Sequence, residues 1–215
     1  MNYEVESRGL FHTRQDYTAL LEFLQANAEF KKDMHRFQMV YVENSDFSPD
    51  PDADVDLRVR IQNGKCLVVV KHGNWHSGAT RKEYEIEIQE EDLEEQLNIF
   101  HLLGKGWGIS LYTETKFFDY QNAEFALVHL HDDIYYWEIE KSTTSKSNIA
   151  VLEKDISKLA AEMHLEVMTS MEMQDYVARL TERPFWRFHF ENEPIKDWLK
   201  NHKKYIDLAL KAQSQ

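Results

Sequence analysis

Cysteine is almost missing from this chain: of 215 residues only Cys66 carries a thiol. No disulfide can close within it, which fits a reducing compartment. Glycine and proline are scarce too, at seven and four, and no glycine-rich phosphate loop, nucleotide-binding glycine pattern or nucleophile motif is found. No apolar run approaches the length of a membrane span. The opening Met1-Asn2-Tyr3-Glu4 lacks the pattern of a signal or transit peptide. Basic residues are outnumbered 25 to 38, for a formal net charge of -13, so electrostatics disfavour nucleic acid. A cytoplasmic protein that engages neither membrane nor nucleic acid is expected.

The sequence has enough apolar residues for a core, and its aromatic content argues against disorder. Its most informative feature is a recurring alternation of charge. Glu4-Val5-Glu6-Ser7-Arg8, Asp56-Leu57-Arg58-Val59-Arg60, Arg81-Lys82-Glu83-Tyr84-Glu85-Ile86-Glu87 and Glu138-Ile139-Glu140 all read this way. Successive side chains of a strand point to opposite faces, so each segment carries one charged and one apolar face. Both signs of charge in short alternation on several strands suggest charged faces converging on something.

The segments around these motifs fill out the pattern. Residues 2–10 read as a strand, and Thr13 to Lys32 as a helix with Leu20, Leu21, Phe23, Leu24 and Phe30 on one stripe. Phe37 to Glu43 is strand-like, and Ser45 to Asp54, with Pro49 and Pro51 among acids, is a loop. Strands Val55–Gln62 and Lys65–Lys71 flank Asn63-Gly64, a strong hairpin signal. His72 to Thr80 is a loop, Arg81–Gln89 a strand and Glu90 to Leu103 a helix with Gly104 behind it. Strands follow over Trp107–Tyr120, Glu124–His131 and Ile134–Lys141, the last two joined by Asp132-Asp133. From Asn148 to Gln215 the chain reads as mostly helical.

Eight strands joined by short turns predict an α+β fold built on an eight-stranded antiparallel barrel or strongly curved sheet. Outward charges would leave amphipathic helices little to cover. Inward charges leave apolar outer faces that those helices can bury, at the cost of a polar interior that must be paired or filled. The second arrangement is expected. Residues 1–182 would form the main domain, and residues 183–215 a helical extension packed on it through Phe185, Trp186, Phe188, Phe190, Trp198 and Tyr205.

In order and spacing the charged segments resemble the motifs of the CYTH superfamily, the triphosphate tunnel metalloenzymes. Glu4-x-Glu6-x-Arg8 is similar to the E-x-E-x-K signature, Leu57-Arg58-Val59-Arg60 to L-R-x-R, and Lys71 to the lysine ending the next strand. Arg81-x-Glu83-x-Glu85 is similar to R-x-E-x-E, Trp137-Glu138-Ile139-Glu140 to the late E-x-E strand, and Ser170-Met171-Glu172-Met173 to S-Y-x-E-L. The resemblance covers roughly residues 2–180. It implies a tunnel of eight antiparallel strands and hydrolysis of a small-molecule triphosphate (inorganic, thiamine or nucleoside), with adenylyl cyclase activity or non-catalytic polyphosphate binding as alternatives, in a protein that is either a monomer or a homodimer. It further implies Mg²⁺ or Mn²⁺ held by Glu4, Glu6, Glu83, Glu85, Glu138 and Glu140. Phosphates would be held by Arg8, Arg58, Arg60, Lys71, Arg81 and Lys116, and Glu4, Glu6, Arg8 and Lys71 would be the catalytic set.

Elementary chemistry agrees with that division. Arginine forks match phosphate oxygens, lysine supplies a point charge, and carboxylates suit hard divalent cations. Three departures are visible. Arg8 replaces the signature lysine and cannot be deprotonated. The later strand offers Glu114 and Lys116 where the family has paired bases, and His129 and His131 stand where it often has an inward aspartate. His129-x-His131 and His72-x-x-x-His76 have metal-site spacings but no assignable third ligand; structural roles are expected for them, and a buried, inert role for Cys66.

Overall fold

A computed structural model describes residues 3–44, 55–72, 82–131 and 134–211. Arg81, His76, the Asp132-Asp133 turn and the loops expected over 45–54 and 73–80 lie outside these residues, as does the side chain of Glu4. The strands are β1 (Tyr3–Leu10), β2 (Glu29–Tyr41), β3 (Val55–Gln62), β4 (Lys65–His72), β5 (Lys82–Ile88), β6 (Trp107–Tyr120), β7 (Ala123–Leu130), β8 (Ile134–Thr143) and β9 (Arg187–His189). The helices are α1 (Arg14–Asn27), α2 (Leu93–Leu102), α3 (Ile149–Glu162), α4 (Ser170–Thr181) and α5 (Ile195–Lys211). No helix among the described residues is long and apolar enough to cross a membrane.

The strands form one antiparallel sheet in the order β1-β8-β7-β6-β2-β3-β4-β5, with β9 added to one end of β6. Two of its hairpins turn where the residues at positive φ stand together, Asn63-Gly64 and Gln121-Asn122, as two-residue turns matched to strand twist require. β1 and β5 are the sheet's two ends, with no ladder between them among the described residues. The sheet is nonetheless rolled. Glu138 on β8 feels the charge of Lys71 on β4, and Arg58 on β3 feels that of Arg8 on β1. Each pair is five strand steps apart, roughly 24 Å across a flat sheet at about 4.8 Å per step. Only a sheet curled into a tunnel brings such pairs within electrostatic reach.

Register assigns the two faces. Arg8 opposes Glu138, Gln38 opposes Arg60, Asp56 opposes Lys71, and Lys71 opposes Glu83, so these side chains share the inner face. Much of the outer face is apolar and covered. Val5, Phe125, Leu127, Trp137 and Ile139 pack against α1 and α3 through Leu20, Leu24, Ile156 and Leu159. Phe37, Met39, Val59, Ile61 and Cys66 pack against α2, β9 and α5 through Leu97, Phe188, Trp198 and Ile206. The charged alternation therefore points inward and the helices bury the outside. Cys66 is buried in that layer, and burial pushes its thiol up to about 11.

The sequence expectation differs from the structure in one long segment. Apolar spacing predicts a helix continuing to Lys32, but α1 stops at Asn27 and the chain enters β2 at Glu29. The backbone N–H of Ala28 still donates to Leu24 O, but Ala28 itself is extended. Phe30 then pairs with Phe118 on β6, so sheet pairing takes over a stretch whose apolar spacing alone is helical. β2 gains eight residues at its start over the expected strand, and an irregularity between Phe30 and Lys32 resets its register.

α4 begins with a capping box, Thr169 accepting from the Glu172 backbone N–H while Glu172 accepts from that of Thr169. Its Tyr176 and Leu180 contact Val40, Ile109, Leu111, Leu130 and Ile134. By register these are inner-face positions, so α4 closes one end of the tunnel with apolar contacts.

Trp198 anchors α5. It is 1% exposed, its indole N–H donates to Arg187 O at 3.2 Å, and it packs on Phe37, Phe188 and Phe190. Trp198→Ala should cost about 3–5 kcal/mol, read from urea unfolding. A loss below about 1 kcal/mol would mean that α5 is not part of the cooperative core.

Candidate active site

The inner face gathers residues from six strands. Glu6 and Arg8 come from β1, Arg36 and Gln38 from β2, Asp56, Arg58 and Arg60 from β3, Lys71 from β4, Glu83 and Glu85 from β5, and Tyr136, Glu138 and Glu140 from β8. Each stands there because strand parity keeps every second residue on one face.

Most of the cations already hold acids. Arg8 pairs with Glu6 and, at 3.5 Å, with Glu138. Arg58 makes a two-pronged contact with Asp56, Nε to Oδ1 at 2.8 Å and Nη2 to Oδ2 at 2.6 Å. Arg60 Nη1 lies 2.8 Å from Glu83 and 3.2 Å from Glu85, and Lys71 Nζ lies 2.6 Å from Glu83. Arg60 is 6% exposed, and its Nε is buried without an acceptor among the described residues.

These contacts set the proton affinities. Burial disfavours the charge on Arg8, yet Glu138 and Glu6 outweigh it and raise its affinity. Burial, helped by the Glu6 charge, raises Glu138 above the usual carboxylate range against Arg8, Arg36 and Lys71. Tyr136 and Tyr176 are raised by burial and by Glu138. Their rings lie 6.2 Å apart, which places Tyr176 of α4 at the inner end of the site.

The structure thus places Glu6, Arg8, Arg58, Arg60, Lys71, Glu83, Glu85, Glu138 and Glu140 on one shared face. It places Lys116 elsewhere. On β6 the residues opposite Met34 and Arg36 are Thr115 and Thr113, while Glu114 and Lys116 have the other parity. Lys116 lies outside the tunnel, 2.8 Å from Asp33, and is withdrawn from the phosphate-holding set. His129 has that outer parity too and stacks on Tyr135 with centroids 4.6 Å apart. Both faces of β6 mix polar and apolar residues, so its charges gave a false parity.

Two inward residues escaped the sequence reading. Arg36 sits in the part of β2 expected to be close to the end of a helix. Glu124 on β7 opposes Glu140, which in turn opposes Glu6. Three carboxylates therefore stand in one row on adjacent strands, an arrangement that is unfavourable without a cation. Parity counted back from Ala126, opposite Glu138, would have identified Glu124.

The donor set suits a hard divalent cation, since Glu6, Glu138 and Glu140 offer carboxylate oxygens on neighbouring strands. Among the described residues, however, no three acidic, histidine or cysteine side chains converge at metal-binding distance. Glu83 and Glu85 are engaged with Arg60 and Lys71, so as they stand they orient cations.

No family model and no curated protein matches the chain. Solved structures do. The PH1819 protein of Pyrococcus horikoshii OT3 superposes with a TM-score of 0.61 and 20% identity, over 84% of this chain and 99% of that one. A candidate adenylate cyclase from Vibrio parahaemolyticus gives 0.55 and 15%, over 80% and 98%. The candidate adenylyl cyclase HpAC1 from Hippeastrum, described as having a dominant triphosphatase activity, gives 0.53 and 16%, over 82% and 96%. A chain of the Schizosaccharomyces pombe Mediator head module gives 0.55 and 9%, over 77% and 97%. The fold is shared with these structures and matches a CYTH-type tunnel: α+β, with an antiparallel sheet that has no ladder between β1 and β5 among the described residues. Because that fold occurs in a candidate cyclase and in a Mediator assembly, function has to be argued from the site.

The Glu83 carboxyl offers a test of the pairing. Burial works against its charge, but the Lys71 hydrogen bond and the Arg60 guanidinium outweigh burial and hold it down to about 2. Between its ordinary 4.5 and about 2 the native state therefore binds fewer protons than the unfolded chain. Its stabilisation is present above that window and is lost as pH falls through it. Glu83→Gln should lower the melting temperature at neutral pH, with the difference from the parent shrinking on acidification through that window. A difference independent of pH would mean that the Glu83 charge is not what Lys71 and Arg60 hold.

Proposed function

We propose that the tunnel binds a triphosphate compound and hydrolyses it with the help of a divalent metal. The observation carrying this reading is that Arg8, Arg58, Arg60 and Lys71, from three separate strands, face one interior that also holds Glu6, Glu138 and Glu140. A triphosphate concentrates several negative charges on a short rod, and only cations approaching from several sides can match it. The family resemblance and the fold shared with a protein of dominant triphosphatase activity support the same reading.

Arg58 and Arg60 present planar forks suited to bridging phosphate oxygens, and Lys71 adds a point charge. Arg8 stays protonated throughout, so it can hold phosphate or position Glu6 and Glu138, but cannot serve as a base. Glu6, Glu138 and Glu140, with Glu4 next along the strand, would hold Mg²⁺ or Mn²⁺. When bound, the metal supplies neutralisation of phosphate charge and orientation of water. Ligand entry exchanges Glu83, Glu85 and Asp56 for phosphate oxygens at the arginines, which keeps the cations paired at every stage. The fixed positive wall costs no reorganisation when charge builds on the leaving group.

The arginine replacing the signature lysine keeps a second reading in play, a binder of triphosphate that does not turn it over. A screen of inorganic triphosphate, thiamine triphosphate, ATP and GTP with Mg²⁺ or Mn²⁺, reading both phosphate and cyclic AMP, separates the outcomes. Metal-dependent phosphate release is expected. Cyclic AMP would assign a cyclase, and binding without turnover would leave the binder. Inorganic triphosphate at 100 times its dissociation constant should stabilise the parent by about 2.7 kcal/mol. Arg60→Ala should lose that response, and Glu138→Gln should lower turnover by about two orders of magnitude or more. Unchanged turnover in Glu138→Gln would remove that carboxylate from the site.

A further inference from the structure

Arg36 differs from the other inner-face cations. Arg8, Arg58, Arg60 and Lys71 each have a carboxylate within 4 Å. Among the described residues Arg36 has none. Its Nε donates to Gln62 Oε1 at 2.9 Å and its Nη2 approaches Met34 Sδ at 3.4 Å. Its neighbours are divided: Arg60 and Arg58 oppose its charge, while Tyr136 and Glu138 support it from beyond contact distance. Burial and Arg60 together pull its proton affinity down to about 10. At neutral pH it is still a cation, held where cations are already dense.

Three further facts converge on the same spot. Arg36 opposes Gln62 and Arg60 opposes Gln38, which makes Arg36 and Arg60 diagonal neighbours on one face. Side chains so placed start roughly 7–8 Å apart, a gap that two guanidinium forks can close around one tetrahedral anion. Among the described residues the donor Arg60 Nε and the acceptor Gln38 Oε1 are each buried without a partner, so one donor, Arg60 Nε, is left over beside the gap. Finally, β6 contributes Leu111, Thr113 and Thr115 to this wall and no cation, and Arg36 stands directly opposite Thr113.

We propose that Arg36 is a substrate-binding residue: with Arg60 it clamps one phosphoryl group of the polyphosphate, on the wall where β6 offers no cation. This rests on the reading of the tunnel as a triphosphate site. The clamp holds two like charges together with no carboxylate in contact with Arg36 among the described residues. The bound phosphoryl group supplies the missing charge, accepts from the unused Arg60 Nε and satisfies both forks.

The test measures inorganic triphosphate binding by calorimetry, alongside thermal melting of the ligand-free protein, in the full chain and in Arg36→Gln, Arg36→Lys, Arg60→Gln and the Arg36→Gln/Arg60→Gln double variant. Removing one charge-assisted hydrogen bond to a phosphate should weaken binding about 10- to 100-fold. Arg36→Gln should do this while the ligand-free melting temperature stays level or rises, because like-charge crowding is relieved. Arg36→Lys, which keeps the charge and loses the fork, should fall between. If both arginines hold the same group, the double variant should lose less than the product of the two single losses.

Parent-like affinity in Arg36→Gln, with binding lost in Arg60→Gln, would overturn the clamp and leave the triphosphate site standing. A parent that binds no triphosphate would overturn the site itself, and the clamp with it. A ligand-free Arg36→Gln protein that is strongly destabilised or fails to fold would make Arg36 a structural cation, contrary to the proposal. Losses that multiply fully in the double variant would assign the two arginines to separate groups.

Discussion

The ion pairs inside the tunnel are the constraint from which the remaining architecture follows. Strands of alternating charge and apolar residues must choose a face for their charges. Here the choice is inward, which leaves Phe37, Val59, Phe125, Leu127 and Trp137 outside and obliges helices to cover them. An interior of this kind persists only if its charges are matched, since a buried ion without a partner is costly. Glu83 held between Lys71 and Arg60, and Arg58 gripped by Asp56, are that matching. The two hydrophobic layers outside the sheet are the counterpart of an interior that mixes charge with apolar residues such as Val69 and Val128.

The same pairs give the ligand-free site its character. Acids and bases that neutralise one another are also poised to separate when a more highly charged ligand enters. The interior is thus a set of exchangeable contacts, with α4 packed against apolar inner positions at one end. The location of Tyr176 beside Tyr136 ties that closing helix to the charged region. The charged region of Arg8 and Glu138 is therefore coupled to α4 through Tyr136 and Tyr176.

How far sequence alone could see this depends on the strand. β1, β3, β5 and β8 each contain a short motif in which charged residues recur at every second position, so parity could be read directly and Glu6, Arg58, Glu83 and Glu138 were placed on one face. β6 does not alternate in that way. Leu111, Thr113 and Thr115 on one face and Tyr112, Glu114 and Lys116 on the other are both half polar, and charge misled where only the ladder to β2 could decide. β2 was hidden for a different reason. Phe30 continues a helical spacing from α1, and only pairing with Phe118 shows that the chain has already become a strand. Arg36 was lost with that boundary. The opening between β1 and β5 could not be read at all, because tunnel closure is a property of the whole sheet and not of any segment.

That opening has a consequence for how the molecule behaves in company. A free strand edge is an invitation for a second chain to add on. On β5 the alternate residues are Glu83, Glu85 and Glu87. A second copy docking antiparallel on this edge, in the register that keeps the two inner faces together, would lay glutamate against glutamate, a pairing that Arg60, Lys71 and Lys65 have to neutralise. The alternation that furnishes the cavity thus also sets what a second chain would meet along β5: acids held by Arg60, Lys71 and Lys65 on the inner side, and the exposed Tyr84 and Ile86 on the outer.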